Sequence, residues 1–409
     1  MLLAGLGYYR EAAECYSRAI AINPFNWEYY RHRAHRFVSC GYFADGAADF
    51  TIASRLNPND WNVWYHLGLS YFLLGMYDKA DWAYTRCAAL NKTADDICAV
   101  TDWHYMTLKR LGKDEEAAKL LDEITEDMPV SDEVANSYYQ RLRVYKGLRA
   151  PETLFTNAGD GAGLDVITQG FGVANYYRMN GQEEKGVEML KKVVYTAEHS
   201  KWYAAFGCLA ARVDLKNGGA RKMNQAYESA SFVRCVVPET ADIQAASAAV
   251  AANPESGDAW MKKGHALAKV SMMREAEECY AMAISCDPFN WEYYRHRAHR
   301  FLSCWRFEDA AADLGIASRL NPNDWNVFYH LGLSYFLLRD YAKAAKAYAR
   351  CYELTDADPE LIAVTDWYYM TLKRLGNDEE AAKILARITD HMNPGENTAY
   401  YARLLMYKG

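Results

Sequence analysis

The sequence is poor in everything that marks a chain for membranes, nucleic acid or a metal centre. No run of eighteen or more apolar residues occurs, so no membrane-spanning helix is expected. The opening MLLAGL has no basic region and no long apolar core, which makes it a poor secretion signal. Lys and Arg number 46 against 53 Asp and Glu, so no broad basic field is present to attract a phosphate backbone. The ten cysteines are scattered, with no CxxC pair. That leaves neither a disulfide framework nor metal-ligand spacing, and it fits small apolar core residues in a reducing cytoplasm. Nucleophile elbow, phosphate loop and zinc signature are all missing. No cofactor and no metal are expected.

What is present is repetition. Pro24 and Pro58 lie 34 residues apart, and Pro254, Pro288 and Pro322 step by the same 34. Between them the apolar residues follow helical spacing, in pairs of helices joined by short turns. The stretch PFNWEYYRHRAHRF at 24–37 returns unchanged at 288–301. Residues 1–128 align with 265–392 at a constant offset of 264, so the chain is two homologous modules. The first is expected to span 1–219 and the second 220–409. The first holds further helical repeats at 164–195 and 199–216 that the second lacks, since Gly409 corresponds to Gly147. Met1 aligns with His265, inside an expected first helix at about 257–271. The natural start is therefore expected upstream, or the first helix to be short.

Trp64, Leu67, Gly68, Tyr71, Gly75, Tyr77, Ala80 and Tyr84 fall in a W-x2-L-G-x2-Y pattern, followed by a turn glycine and a second aromatic and small set. Gly68 is small where two helices must cross, and Gly75 permits the reversal between them. Phe328, Leu331, Gly332, Tyr335, Tyr341, Ala344 and Tyr348 repeat the pattern, as does the weaker set Trp260, Gly264, Leu267, Ala276 and Tyr280. This resembles the tetratricopeptide repeat. The overall style is similar to bacterial proteins of that class carrying a YRHRxHR-type helix. The resemblance implies an all-α, right-handed superhelical solenoid of helix-turn-helix repeats. It also implies that the first helix of each pair lines a concave groove.

On that grid the groove-facing set is Glu28, Arg31 and His35, then Asn62 and Tyr65 beside His66, then Asp102 and Lys109. The second module supplies Glu292, Arg295, His299, Asn326, Tyr329, His330, Asp366 and Lys373. Trp27 and Trp291 could stack on a ligand, and His32 and His296 sit at the flank with Arg36. A row of polar groups where a sealed core would be apolar reads as a pocket, one per module. First helices also diverged less than second ones. Residues 65–74 equal 329–338 and 105–112 equal 369–376, whereas only eight of the 24 positions from 75 to 98 match.

Three chemistries fit the 24–37 cluster. The charges could be structural, pairing with Glu28, Asp49 and Asp102 inside the solenoid. Glu28, His32 and His35 could hold a metal, although Arg31, Arg33 and Arg36 would repel it. Arg and His could bind an anion, with aromatic residues stacking on it. The expected function is an interaction protein holding a small anionic or peptide-like ligand, or a protein partner, in the groove. Self-association through the solenoid ends is a second expected contact. Peptide-carboxylate clamps of the resembled class use Lys and Asn where this sequence has Arg and His. The alternative is an enzyme, a lyase, isomerase or hydrolase on a small anionic or sugar-like substrate. Its candidate acid and base groups are His35, Glu28 and Asp102, with His299, Glu292 and Asp366 in the second module.

Overall fold

Asp60 ends an Asn-Pro-Asn turn and its carboxylate accepts the Val63 N–H at 2.8 Å, which starts a helix at Trp61. Thr93 and Asp96 form a reciprocal capping box at the next first helix. Such local signals recur along the chain. In the computed structural model, which describes residues 2–159, 161–218 and 237–409, the described residues form 22 α-helices and no strand. The all-α expectation holds, as pairs of antiparallel helices.

The chain divides into two compact units. Unit 1 comprises Met1–Ala13 and Tyr30–Val236, and unit 2 comprises Glu14–Tyr29 and Val237–Gly409. The expected boundary at 219/220 lies outside the described residues, as does Met1.

The helices are α1 (Leu2–Gly5), α2 (Tyr9–Ile22), α3 (Trp27–Ser39), α4 (Phe43–Leu56), α5 (Trp61–Leu73) and α6 (Tyr77–Ala88). Next come α7 (Ala94–Arg110), α8 (Asp114–Leu120), α9 (Glu133–Tyr145), α10 (Leu164–Met179), α11 (Glu183–Glu198) and α12 (Phe206–Gly218). Unit 2 continues with α13 (Ala241–Ala252), α14 (Gly257–Lys269), α15 (Met273–Cys286), α16 (Trp291–Ser303) and α17 (Phe307–Leu320). It ends with α18 (Trp325–Leu337), α19 (Tyr341–Glu353), α20 (Asp358–Leu375), α21 (Asp378–Ala386) and α22 (Thr398–Lys408).

The glycine of the repeat pattern does what its spacing implies. A Cβ on Gly68 would stand 2.6 Å from the Tyr84 ring, and one on Gly264 or Gly332 would meet Tyr280 or Tyr348 just as closely. Each tyrosine is buried and packs where the glycine lets two helices cross. The turn glycines tell a different story in the second half. Gly7, Gly41 and Gly75 all have positive φ, and their counterparts Ser271, Trp305 and Arg339 keep φ between 61° and 64° without being glycine. The turn geometry persists although the side chain it favours is gone.

Buried charges pin the helix pairs. In unit 1, Arg33 holds Asp49 with two hydrogen bonds of 2.6 and 2.8 Å, both side chains fully buried. Arg297 and Asp313 repeat this in unit 2, at 2.7 and 2.9 Å. The Glu14–Tyr29 segment of unit 2 lies against α17. There Ser17 donates to Asp309 at 2.6 Å and Arg18 to Glu308 at 2.7 Å.

The long insertion of the first module, α10 to α12, is part of unit 1 and packs against its inner helices. Phe171 of α10 stacks on Trp103 of α7 at 5.7 Å, and α12 contacts α5. Unit 2 has no counterpart of this segment among the described residues.

Candidate functional site

In unit 1 the first helices α3, α5, α7 and α9 and the α10 and α12 region enclose a cavity of about 570 Å³. Four of the expected residues line it: His35, Asn62, Tyr65 and His66. Trp61 stacks on Tyr65 at 4.8 Å, because positions i and i+4 share a helix face. His35 and His66 place their rings 4.8 Å apart, and Phe206 closes over both at 5.3 and 5.6 Å. Tyr138 and Trp202 complete the aromatic wall.

The imidazoles are neutral at ordinary pH. Burial holds His35 well below its usual range, and a proton on the neighbouring His66 or the Arg36 charge would oppose its protonation further. Burial also pushes His66 down to about 4, against the helping pull of the Asn62 carbonyl. Hydrogen bonding fixes the tautomers. His66 Nδ1 lies 2.8 Å from the Asn62 carbonyl, which can only accept, so Nδ1 carries the proton and Nε2 is left an acceptor. Arg36 donates to His35 Nδ1, so His35 carries its proton on Nε2. The pair therefore offers one donor and one acceptor, with no charge. Burial and a hydrogen bond to Tyr138 raise the Tyr65 hydroxyl far above its ordinary range, so it too stays neutral.

Arg36 is the cation of this lining, although the helical grid set it on the flank. Three carboxylates share the wall: Asp95, Asp96 and Asp132. All are engaged with backbone. Asp95 binds the Ser131 hydroxyl and N–H and the Asp132 N–H, which lowers its pKa, the Ser131 hydroxyl most of all. Asp96 takes the Lys92 and Thr93 N–H groups, and Asp132 that of Ala135. Sequence reasoning missed them because capping residues look alike whether or not they border a cavity.

The other expected residues are elsewhere. Trp27, Glu28, Arg31 and His32 are not in the lining; Arg31 donates to its neighbour His32 at 3.2 Å. Asp102 is fully buried 3.0 Å from Arg141, itself fully buried. Burial pushes the Asp102 carboxyl up to about 7, with Arg141 opposing. Lys109 pairs with Asp114 on the surface. The acid and base set His35, Glu28 and Asp102 is thus not assembled in this cavity.

Unit 2 repeats the inner ring pattern. Trp325 stacks on Tyr329 at 4.8 Å, His299 and His330 rings are 4.7 Å apart, and His330 Nδ1 lies 2.8 Å from the Asn326 carbonyl. Burial pushes His299 and His296 down to about 3. His296 meets His265 at 3.2 Å and accepts from Arg295, whose guanidinium lies 5.9 Å over Trp291. Glu292 lies in the first turn of α16, its N–H held by the Asn290 side chain that caps the helix. Asp366 is fully buried against Arg403, and Lys373 pairs with Asp378. Among the described residues no group of three or more His, Cys, Asp or Glu is placed to hold a metal. No described helix is long and apolar enough to cross a membrane.

Comparison with known proteins follows the repeat pattern. Family models described as tetratricopeptide repeat match residues 1–26, 33–89 and 305–360. No curated protein matches the chain. Among solved structures, YrrB, "a TPR protein with an unusual peptide-binding site", is 21% identical, with 41% of this chain and 84% of that chain covered and a TM-score of 0.34. A thermophilic TPR protein of Thermus thermophilus, TTC0263, is 20% identical over 40% of this chain and 89% of that chain, with a TM-score of 0.33. Yeast Tom70 is 16% identical over 100% of this chain and 86% of that chain, with a TM-score of 0.32. The glycine–tyrosine crossings, the paired helices and the family matches agree: the chain carries tetratricopeptide repeats, matched at residues 1–26, 33–89 and 305–360.

Proposed function

We propose that the chain is an interaction protein whose unit 1 cavity holds a peptide-like segment of a partner. The observation that carries this is the neutral donor–acceptor pair of His35 and His66 within an aromatic wall. A backbone amide has one N–H and one C=O to satisfy, and Trp61 and Trp202 offer flat apolar surface to the side chain beside it. A small anion is served less well. One arginine faces three carboxylates in the lining, and both imidazoles lack the proton that would attract negative charge.

A random 12-residue peptide array probed with the full chain tests the reading. A defined set of peptides is expected to bind, with at least ~tenfold loss in Trp61→Ala and in Asn62→Ala at unchanged helicity. No retained peptide, or retention indifferent to both substitutions, overturns it. Thermal stabilisation by citrate or inorganic phosphate that vanishes in Arg36→Ala would favour the small-anion reading instead.

A further inference from the structure

The lining of the unit 1 cavity is electrically uneven. It holds the carboxylates of Asp95, Asp96 and Asp132 and the guanidinium of Arg36. Arg36 is already engaged: it donates to His35 Nδ1 and lies 5.4 Å over the Tyr9 ring. Among the described residues none of the three carboxylates makes an ion pair. They sit together, since the Asp132 N–H donates to Asp95 at 3.2 Å and Asp96 follows Asp95 in the chain.

Capping does not use these groups up. Asp96 Oδ2 accepts the Lys92 and Thr93 N–H groups at 3.0 and 3.1 Å, and Asp132 Oδ1 accepts that of Ala135 at 2.9 Å. Asp96 Oδ1 and Asp132 Oδ2 accept nothing among the described residues. The N-termini of α7 and α9 carry roughly half a positive charge each, so three carboxylates leave this end of the cavity negative.

A flat ring borders the carboxylates. Trp61 Nε1–H donates to Asn91 at 2.8 Å, and Asn91 directly precedes the two residues whose N–H groups Asp96 holds. Trp61 is half-buried, lines the cavity, and has no described cation over its ring. The other tryptophan of the lining, Trp202, already carries the Lys201 ammonium 4.8 Å from its centroid. One further buried group lacks a partner. His66 is 8% exposed and lines the same cavity, and its Nε2 accepts nothing among the described residues.

We propose that the peptide segment held in the unit 1 cavity carries an arginine. Its guanidinium lies on Trp61 and donates to Asp96 and Asp132, while a backbone N–H of the same segment donates to His66 Nε2. A planar cation can stack on an indole and still aim its edge N–H groups at carboxylates, which a lysine ammonium cannot do at once. This rests on the reading of the cavity as a peptide site, and it names the side chain which that site selects.

The probe is three sets of N-acetylated, C-amidated dodecapeptides, built from one pool of random uncharged residues. Each set has one fixed central residue: arginine, lysine or citrulline. Citrulline has the shape of arginine without its charge, and acetylation removes the terminal amine, so any cation recognised is a side chain. The full chain is expected to retain arginine peptides and to bind their citrulline twins at least ~tenfold more weakly, with lysine twins between. Asp96→Asn combined with Asp132→Asn tests the carboxylates. Asparagine keeps an oxygen for the capping N–H groups and loses the charge. In that variant arginine peptides are expected to fall to the citrulline level at unchanged helicity. Should the pair of substitutions lower helicity, Asp132→Asn alone serves, because Asp132 is exposed and asparagine caps equally well; at least a ~threefold loss is then expected. Arginine and citrulline twins bound alike, lysine twins bound as tightly as arginine ones, or an arginine preference kept in the asparagine variants each overturns the proposal. Citrulline twins that bind as well as arginine ones, and are lost in Trp61→Ala and Asn62→Ala, sink this inference and leave the peptide reading standing. No peptide retained from any set sinks both.

Discussion

Asp102 and Arg141 meet at 3.0 Å with neither side chain exposed, whereas Asp366 meets an Arg403 that is 37% exposed. The pairs are equivalent in the duplication, yet only the first is sealed, by Phe171 and Gly172 of α10. A charge left alone in a sealed site cannot recover its hydration, while one at a surface can. At pH 8, above the value of about 7 to which burial raises the Asp102 carboxyl, Asp102→Asn is therefore expected to cost about 3 kcal/mol, and Asp366→Asn about 1 kcal/mol. Urea unfolding followed by circular dichroism would measure both. Equal losses, or a larger one at Asp366, would contradict the difference in burial.

The left-handed turns of the second module give a stabilising prediction. Trp305 and Arg339 hold φ of 62° and 61°, where Gly41 and Gly75 serve in the first module. A non-glycine residue there costs on the order of 1 kcal/mol or more, partly offset by the extra freedom glycine gives the unfolded chain. Trp305→Gly and Arg339→Gly are each expected to raise stability by about 0.5–1 kcal/mol, seen as a higher melting temperature. Trp305 is 82% exposed, so little packing is lost with it. A lower melting temperature in both variants would mean the side chains contribute more than the strain.

The helix crossings give a destabilising one. A Cβ at Gly68 would overlap the Tyr84 ring, which is fully buried and has nowhere to move. Gly68→Ala is expected to cost about 1–3 kcal/mol despite alanine's better helix propensity. Gly332→Ala should behave alike, since Tyr348 is equally buried. A neutral or stabilising effect in thermal melts would show that the rings can shift.

These cases show what could be read in the residues alone. Gly68, Tyr84 and their repeats gave the fold because their role is local and periodic. His35, Asn62, Tyr65 and His66 were legible as groove residues for the same reason. Glu28, Arg31 and Asp102 were misleading, since helical phase says which face a residue takes but not what lies opposite. Asp102 faces Arg141 from α9, 39 positions away. The aromatic closure by Trp202 and Phe206 was invisible, because the insertion's return into the concave face has no signature in its own sequence.

The His66 imidazole should make unit 1 sensitive to acid. Its ordinary value of 6.5 falls to about 4 in the fold, chiefly through burial. Between these values the unfolded chain binds a proton that the folded one does not, so stability rises with pH across that window. Full at pH 7, this contribution is lost as pH falls toward 4, by up to ~3 kcal/mol. Asp102 runs the other way: its raised value means that the folded state holds the extra proton, so its effect weakens stability as pH rises toward 7. A whole-protein pH curve therefore mixes opposite slopes, and the informative measurement is a difference. His66→Phe keeps an aromatic ring against Phe50 and Phe206 and cannot be protonated. Its unfolding free energy is expected to fall less steeply than wild type from pH 7 to pH 4, whatever its absolute stability. Parallel curves for the two proteins would show that His66 takes up its proton without leaving the cavity wall, and that burial does not hold it neutral.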